Sequence, residues 1–252
     1  VTQSYRSLVL DQVGSTNSEA FALSQAGETG PLWVVARRQT AGRGRSGRRW
    51  VSEPGNLYAS LLTRLDCPRS ALAQLSLVAG VAAFDAIRQA AGGGLPGLRL
   101  KWPNDVLIGH AKCAGLLAEC ATDERSVTAV IGVGINLASH PDDLGRPATH
   151  VAEHGHDVSP DAMLPCLAVA MERWICVWAG GRGFPAVRAA WLERAGAVGE
   201  RCAVDTGQER IEGTFADLDA EGALVIRDGH GQRRTVTFGD VHLAATAPRE
   251  AG

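Results

Sequence analysis

Net charge is what this 252-residue chain most plainly lacks: 25 lysines and arginines stand against 27 aspartates and glutamates, a formal −2. A balance this close to zero gives no general reason to expect nucleic-acid binding, so any strong basic signal has to be local. The sequence also lacks a C-x-x-C pair. Its cysteines, at 67, 113, 120, 166, 176 and 202, follow no metal-binding spacing. A chain of this length that is 45% apolar can bury a core without disulfides, so the thiols are expected to be reduced and mostly buried in a cytoplasmic protein. No run reads as a membrane span: Leu75 to Phe84 is too short, and the apolar stretch near residue 170 carries Glu172 and Arg173. Internal repeats are absent too, and the length allows one large domain with a small one.

The hydrophobic patterning gives a mixture of strands and helices. Leu8 to Leu10 reads as a short strand, and Thr16 followed by Glu19 reads as a capping box opening a helix to about Ala26. Strands are expected at Trp33 to Ala36 and Tyr58 to Thr63, then a long helix from Ser70 to Ala91 stopped by three glycines. Four short strand-like runs follow, at Leu98 to Lys101, Val106 to Ile108, Ala114 to Glu119 and Thr128 to Val133. Asp161 to Trp178 and Phe184 to Arg194 look helical, with Trp174, Trp178 and Trp191 as packing residues. After Gly196 the character changes to short alternating strands near Arg201 to Val204, Arg210 to Phe215, Ala223 to Ile226 and Thr235 to Phe238. The hairpins before residue 136 are too closely spaced for a doubly wound sheet. The expectation is therefore an α+β protein, a mixed sheet followed by a small β-barrel.

The local basic signal is Arg37 to Arg49, with six arginines and no acid. Gly42, Gly44 and Gly47 let its backbone approach a ligand closely, and arginine's planar fork suits phosphate and carboxylate. Taken alone, the segment also reads as a solvated loop or an RNA-binding patch. It is not a phosphate loop, because no lysine follows the glycines, and its G-x-G-x-x-G spacing is crowded by arginine. Fixing ten such residues costs roughly 10–20 kcal/mol at about 1–2 kcal/mol each, which spans much of the range of binding energies. The loop must therefore be partly preordered, or close around a ligand carrying several negative groups. That is a lid.

Three motifs follow in order. Lys101-Trp102-Pro103-Asn104-Asp105 brings a cation, an amide and a carboxylate together at a proline-bearing turn. Lys112 opens Lys112-Cys113-Ala114-Gly115-Leu116, and Gly132-Val133-Gly134-Ile135-Asn136 ends an apolar strand. Each motif alone reads as a structural turn. Together with Ser15-Thr16-Asn17, Gln39 and the Gly-Arg-Gly-Arg loop, their order and spacing resemble the biotin protein ligases over about the first 140 residues. The resemblance is looser over the C-terminal strands.

The resemblance implies a catalytic domain of the biotin/lipoate ligase type over 1–195 and an SH3-like β domain over 196–252. It implies activation of biotin by ATP and Mg²⁺ to biotinyl-5′-AMP with release of pyrophosphate. Transfer to a lysine of a biotin carboxyl carrier domain of a carboxylase follows. Biotin is then expected at Ser15, Thr16, Asn17, Gln39, Gly42, Arg43, Arg45, Lys112 and Gly115, and ATP or the adenylate at Arg45, Arg48, Trp50, Asn104 and Asn136. Lys112 is expected to stabilise charge between the biotin carboxylate and the α-phosphate, Arg43 to wrap the intermediate, and Asp105 to orient or deprotonate the incoming lysine.

Two departures from the family pattern stand out. Ser46 replaces a basic residue common in relatives, which is expected to soften the lid, and Ala244 replaces another near the adenylate. Some relatives also carry an N-terminal helix-turn-helix. With motifs beginning by residue 15, none is expected here, nor a nucleic-acid or membrane partner, while a homodimer stays open. His150, His154, His156 and Asp157 match no zinc spacing and are read as a polar loop, so no protein metal ligands are assigned. A lipoate ligase and a non-enzymatic RNA binder remain as rival readings.

Overall fold

The computed structural model describes residues 5–122, 126–142, 145–196 and 198–243. Ala244 lies outside them. A seven-stranded mixed sheet comes first, built from β1 (Ser7–Val13), β2 (Leu32–Gln39), β3 (Leu57–Leu65), β4 (Leu98–Lys101), β5 (Asp105–Ile108), β6 (Ala111–Thr122) and β7 (Val127–Ile135). Its spatial order is β1-β2-β3-β7-β6-β5-β4. Only β1 and β2 run parallel, joined across one face by helix α1 (Thr16–Gln25); every other neighbouring pair is antiparallel.

Strand alternation divides the core between the two faces. On β2, Val34 joins Ala20 of α1, Leu62 and Val130 in a small cluster, while Trp33 and Val35 point to the opposite side. That opposite side is the main core, covered by α2 (Leu75–Ala90), α3 (Pro160–Trp178) and α4 (Phe184–Arg194). Both α2 and α3, with their flanking turns, are apolar and long enough to cross a membrane by length and composition. Here α2 packs against both the sheet and α3, and most of its residues are buried, so core burial accounts for its composition. Because α1 covers only part of its face, the sheet surface over β3, β7 and β6 is left open beside it.

The region after Gly196 forms a five-stranded antiparallel sheet of β8 (Arg201–Asp205), β9 (Arg210–Leu218), β10 (Leu224–Asp228), β11 (Arg233–Val236) and β12 (Asp240–Leu243), in the order β11-β10-β9-β8-β12. Strand β12 was not among the expected strands. It is held by pairing to β8, Val241 opposite Val204. The small sheet shares the main core through Cys202, Val204 and Phe215, with Trp191 edge-on to Phe215. Trp102 Nε1 donates to the Gly222 carbonyl at 3.1 Å, and Arg99 pairs with Glu200 at 2.8 Å.

Three local expectations change. The helix expected over 70–91 begins as a 3₁₀ turn, Arg69–Gln74, before α2; buried Gln74 at the junction accepts from Trp178 Nε1 at 2.7 Å. The capping box does not form: Ser15 takes the N-cap position, and the Thr16 hydroxyl turns to Gln39 instead of capping. All six cysteines are free, as expected, but only Cys113 and Cys202 are buried, and Cys176 is exposed.

Asn56 is a fastener that the sequence did not advertise. Its Oδ1 accepts from the backbone N–H groups of Leu137 (2.7 Å), Ala138 (2.9 Å) and Ser139 (3.3 Å), and its Nδ2 donates to the Ser139 carbonyl. These bonds pin the chain as it leaves β7. Asn56→Ala strands several inward donors and is expected to cost about 2–4 kcal/mol, at roughly 1–3 kcal/mol per unsatisfied buried group. A urea denaturation midpoint within error of the parent's contradicts that accounting.

Candidate active site

The uncovered sheet face, the arginine loop and β12 enclose a cavity of about 730 Å³. Its floor is flat because three glycines form it. Gly134 lies opposite Gly115 across β7 and β6, and Gly132 lies opposite Ser60 on β3. The Trp50 indole rests directly on two of them: a Cβ built on Gly115 falls 2.7 Å from Trp50 Cζ3, and one on Gly134 falls 2.6 Å from Trp50 Cε2. Any side chain there displaces the ring. Trp50 Nε1 is a buried donor without a hydrogen-bond partner among the described residues, pressed against Gly134 on the floor.

The α1 end of the cavity is a closed polar network. Gln39 Oε1 accepts from the Thr16 backbone N–H at 2.9 Å and lies 3.2 Å from its hydroxyl, while Gln39 Nε2 donates to Ser52 Oγ at 3.1 Å. Fully buried Ser60 donates to Asn17 Oδ1 at 2.6 Å and lies 2.7 Å from Thr16 Oγ1. Asn17 Nδ2 in turn donates to Glu119 Oε2 at 2.7 Å. The residues expected from the sequence are brought together here, with Glu119 from the end of the Lys112 motif, but Ser52 and Ser60, which orient them, carried no motif.

Near the β4–β5 turn lies the strongest electrostatic feature. Asp105 ion-pairs with Lys112 through Oδ1 and with Lys101 through Oδ2 at 3.2 Å. Asp105 is 6% and Lys112 8% exposed, so both charges have left water. Burial works to raise the Asp105 pKa, yet Lys112 and Lys101 overcome it and hold the carboxyl below its ordinary value. Burial likewise pushes the Lys112 ammonium below the usual lysine value, with Asp105 as the opposing influence and Arg146 and Lys101 adding to the depression. A carboxylate held down by two cations is a poor base. The structure thus places Asp105, expected to orient or deprotonate an incoming amine, as the shared ion-pair partner of Lys101 and Lys112. Burial pushes the neighbouring Cys113 thiol up to about 12, so no thiolate competes as a nucleophile.

The arginine loop is a hairpin, with Arg43 bridged to Arg49, the Gly44 N–H donating to the Arg48 carbonyl and the Trp50 N–H donating to the Gly42 carbonyl. Each arginine expected to serve the lid has an anchor. Arg43 reaches Glu119 and Ser18, both at 3.3 Å. Arg45 reaches Asn104 Oδ1 and the Gly239 carbonyl, both at 3.3 Å, and lies over the Phe238 ring. Arg48 pairs with Asp240 of β12. Ser46, at the tip, holds φ 55°, a left-handed conformation that side chains seldom adopt.

Two expected residues do not line the cavity. Gly42 sits behind the wall, where a Cβ falls 2.6 Å from the Trp50 carbonyl; it permits the hairpin's pinch. Asn136 is buried, and its Nδ2 donates to the Thr149 carbonyl at 3.0 Å and points to that of Lys112 at 3.5 Å. The Thr149 bond holds segment 147–149 beside Lys112. Asn104 does line the cavity, with Nδ2 on the Leu116 carbonyl and Oδ1 on Arg45. Arg146 and Pro147 line it also, and nothing in their sequence context signalled it. A signal for Lys101 was available: lysines 101 and 112 are the only two in the chain, and the structure sets both on Asp105.

A mixed sheet with a glycine floor, a buried lysine and an arginine hairpin defines a cavity suited to an anionic ligand, and the comparisons give its class. Residues 9–136 match the biotin/lipoate A/B protein ligase family, and residues 197–243 match the biotin protein ligase C-terminal domain. The chain is 41% identical over 234 residues to a biotin–[acetyl-CoA-carboxylase] ligase of Paracoccus denitrificans, covering 89% of this chain and 95% of that one. Against the protein of the same name from Mycobacterium tuberculosis the identity is 34%, over 93% and 88%. The biotin protein ligase from Aquifex aeolicus in complex with biotin and ATP superposes with a TM-score of 0.79 at 27% identity, over 95% of this chain and 98% of that one. The chain belongs to the biotin protein ligase family, within the wider biotin/lipoate ligases.

Removing one member of a buried ion pair leaves the other charge uncompensated. Asp105→Ala is therefore expected to destabilise the fold by about 3–5 kcal/mol at neutral pH. Denaturant unfolding checks this, and a loss under about 1 kcal/mol, the range of an exposed pair, contradicts the buried pair.

Proposed function

We propose that the chain activates biotin with ATP and transfers it to a lysine of a biotin carboxyl carrier domain. The observation that carries the reading is the placement of buried Lys112 between a polar pocket at one end of the cavity and an arginine hairpin at the other. The ureido head of biotin has donors and acceptors on both sides of one carbon. A network of Ser15, Thr16, Asn17 and Gln39 can match them, whereas the dithiolane of lipoate offers no such partners and leaves those buried groups unmatched. The apolar body of biotin lies over Gly132, beside the Trp50 indole that covers Gly115, with its carboxylate toward Lys112.

In the first step a carboxylate oxygen attacks the α-phosphorus of ATP and pyrophosphate leaves. Negative charge on the phosphoryl oxygens rises in the transition state, and Lys112 is the fixed cation that meets it. Arg45 and Arg48 face the phosphates, which compete with Asp240 and Asn104 for the same guanidinium groups. Arg43 closes beside the intermediate, Asn104 holds the turn against the lid, and Trp50 stacks between biotin and the nucleotide. Mg²⁺ would arrive with the triphosphate and supply charge neutralisation there. The carboxylates among the described lining residues, Asp105 and Asp240, are paired to cations, so ATP and water would supply most of its oxygen ligands. In the second step the carrier amine attacks the acyl carbon, AMP leaves and the amine proton is lost to solvent. Residues 1–195 form the catalytic unit in this reading and 196–252 a C-terminal unit that supplies the β12 wall. Six unpaired thiols suit a reducing cytoplasm.

The decisive assay mixes the protein with ATP, Mg²⁺, a carrier domain and either biotin or lipoate, and weighs the carrier. One biotinyl group per carrier is expected and no lipoyl group; lipoylation alone, or no acylation, overturns the proposal. Lys112→Ala is expected to bind biotin within a few-fold of the parent while losing about 10²–10³-fold in pyrophosphate release, the size typical of removing one charge-stabilising donor. Near-parental release removes Lys112 from the chemistry.

Asp105→Asn tests the pair by pH. The active lysine is the protonated one, so activity is present below its pKa and lost as pH rises through it. Removing the anion that raises that pKa moves the alkaline limb to lower pH. An unmoved or upward-shifted limb contradicts the assignment.

A further inference from the structure

From the convergence of His140 Nδ1, His150 Nδ1 and Glu153 Oε2, we infer that this chain binds a divalent transition-metal ion of the zinc class at the edge of the active-site cavity. The two Nδ1 atoms stand 2.8 Å apart, and the carboxylate oxygen lies 3.7 Å from the first and 3.5 Å from the second. These three atoms belong to one cluster within a single ion's reach. Ligands about 2.0–2.1 Å from a tetrahedral zinc ion stand about 3.3–3.4 Å apart, so shifts of a few tenths of an ångström seat all three.

Backbone, rather than chance rotamers, brings the donors together. The N–H groups of Val151 and Ala152 donate to the carbonyls of Asn136 and Leu137 at 3.1 and 2.9 Å, which locks the exit of β7 to the stretch beginning at His150. Asn56 pins 137–139 from the other side, leaving His140 one residue beyond a fixed point. The carboxylate is also oriented. Buried Thr149 donates to Glu153 Oε2 at 2.7 Å and lies 2.9 Å from His154 Nε2, an outer partner of the kind that aligns metal ligands. The histidine side chains are about one-fifth exposed and Glu153 about half. The three donors thus close one side while solvent reaches the other, where water completes the coordination.

Two imidazoles and one carboxylate suit zinc, cobalt, nickel or copper rather than magnesium or calcium, which prefer all-oxygen sites. An ion there ties His140 to His150 and so clamps both ends of the intervening stretch. That stretch contributes Gly145, Arg146 and Pro147 to the cavity, and its Pro147 and Thr149 pair with the Lys112 backbone. The site lies outside the proposed reaction and would stand if biotin transfer failed.

The test uses full-length, tag-free protein stripped with EDTA and dialysed. Titration with Co²⁺ is expected to develop the visible d–d absorption of a four- or five-coordinate ion, saturating at one equivalent and bleached by Zn²⁺. His140→Gln and His150→Gln abolish it, Glu153→Gln weakens it, and His154→Gln retains one equivalent. An anomalous-scattering peak among the three donors in Zn²⁺-soaked parental crystals is expected independently of how the variants fold. A parent that leaves Co²⁺ as the weakly coloured hexaaquo ion overturns the proposal, as does equal binding by His140→Gln and His150→Gln. The histidine pair then holds only a shared hydrogen bond.

Discussion

The buried contact between Lys112 and Asp105 is the constraint around which the rest of this molecule is arranged. Moving either charge out of water costs several kcal/mol, and the pair recovers that only with close geometry and satisfied neighbours. Each supporting element serves that geometry. The β4–β5 turn brings Asp105 back beside Lys101, the bulged pairing of β5 with β6 sets Lys112 against it, and segment 147–149 bonds the Lys112 backbone on its far side. Asn136 keeps that segment in place. A lysine so held is a fixed positive charge in a site whose other walls are glycine, tryptophan and arginine, which is what an acyl-phosphate chemistry needs at its centre.

The arginine hairpin shows how an expensive loop becomes affordable. Left free, its ordering would consume much of the energy a ligand can supply. In the structure it is already tied to β6 by Arg43, to the β4–β5 turn by Arg45 and to β12 by Arg48. The C-terminal sheet is therefore part of the site's wall. In the proposed reaction, an incoming polyphosphate exchanges partners with guanidinium groups already in position, so most of the ordering cost is met before it arrives.

The element order was legible because hydrophobic periodicity sets it: α4 begins and ends as read, and β4 does also. Patterning failed where tertiary contacts override local preference. Thr16 resembles a cap, yet the cavity takes its hydroxyl for Gln39. Strand β12, absent from the expected set, forms because β8 offers an edge. In the site, glycines, arginines and Lys112 were readable because their chemistry is rare and clustered. Ser52, Ser60 and Arg146 were not, since single polar residues carry no signal until the fold brings them together. Asn136 was read as an adenylate ligand, and the structure adds a second task, its Nδ2 holding the Thr149 carbonyl. His140 belongs to a cluster that no spacing rule finds, because ten residues separate it from His150 while the backbone folds them together.

With only two lysines in the chain, the central pair can be observed directly. Lysine-selective NMR of the side-chain amines gives two resonances, assigned by Lys101→Arg. Following the Lys112 resonance against pH is the most direct test of the account. The expected result is a lysine still charged at neutral pH, whose pKa lies below the ordinary value near 10.4 and whose titration falls further in Asp105→Asn. A Lys112 that titrates at the ordinary value, indifferent to Asp105, would contradict a buried pair at the heart of the site.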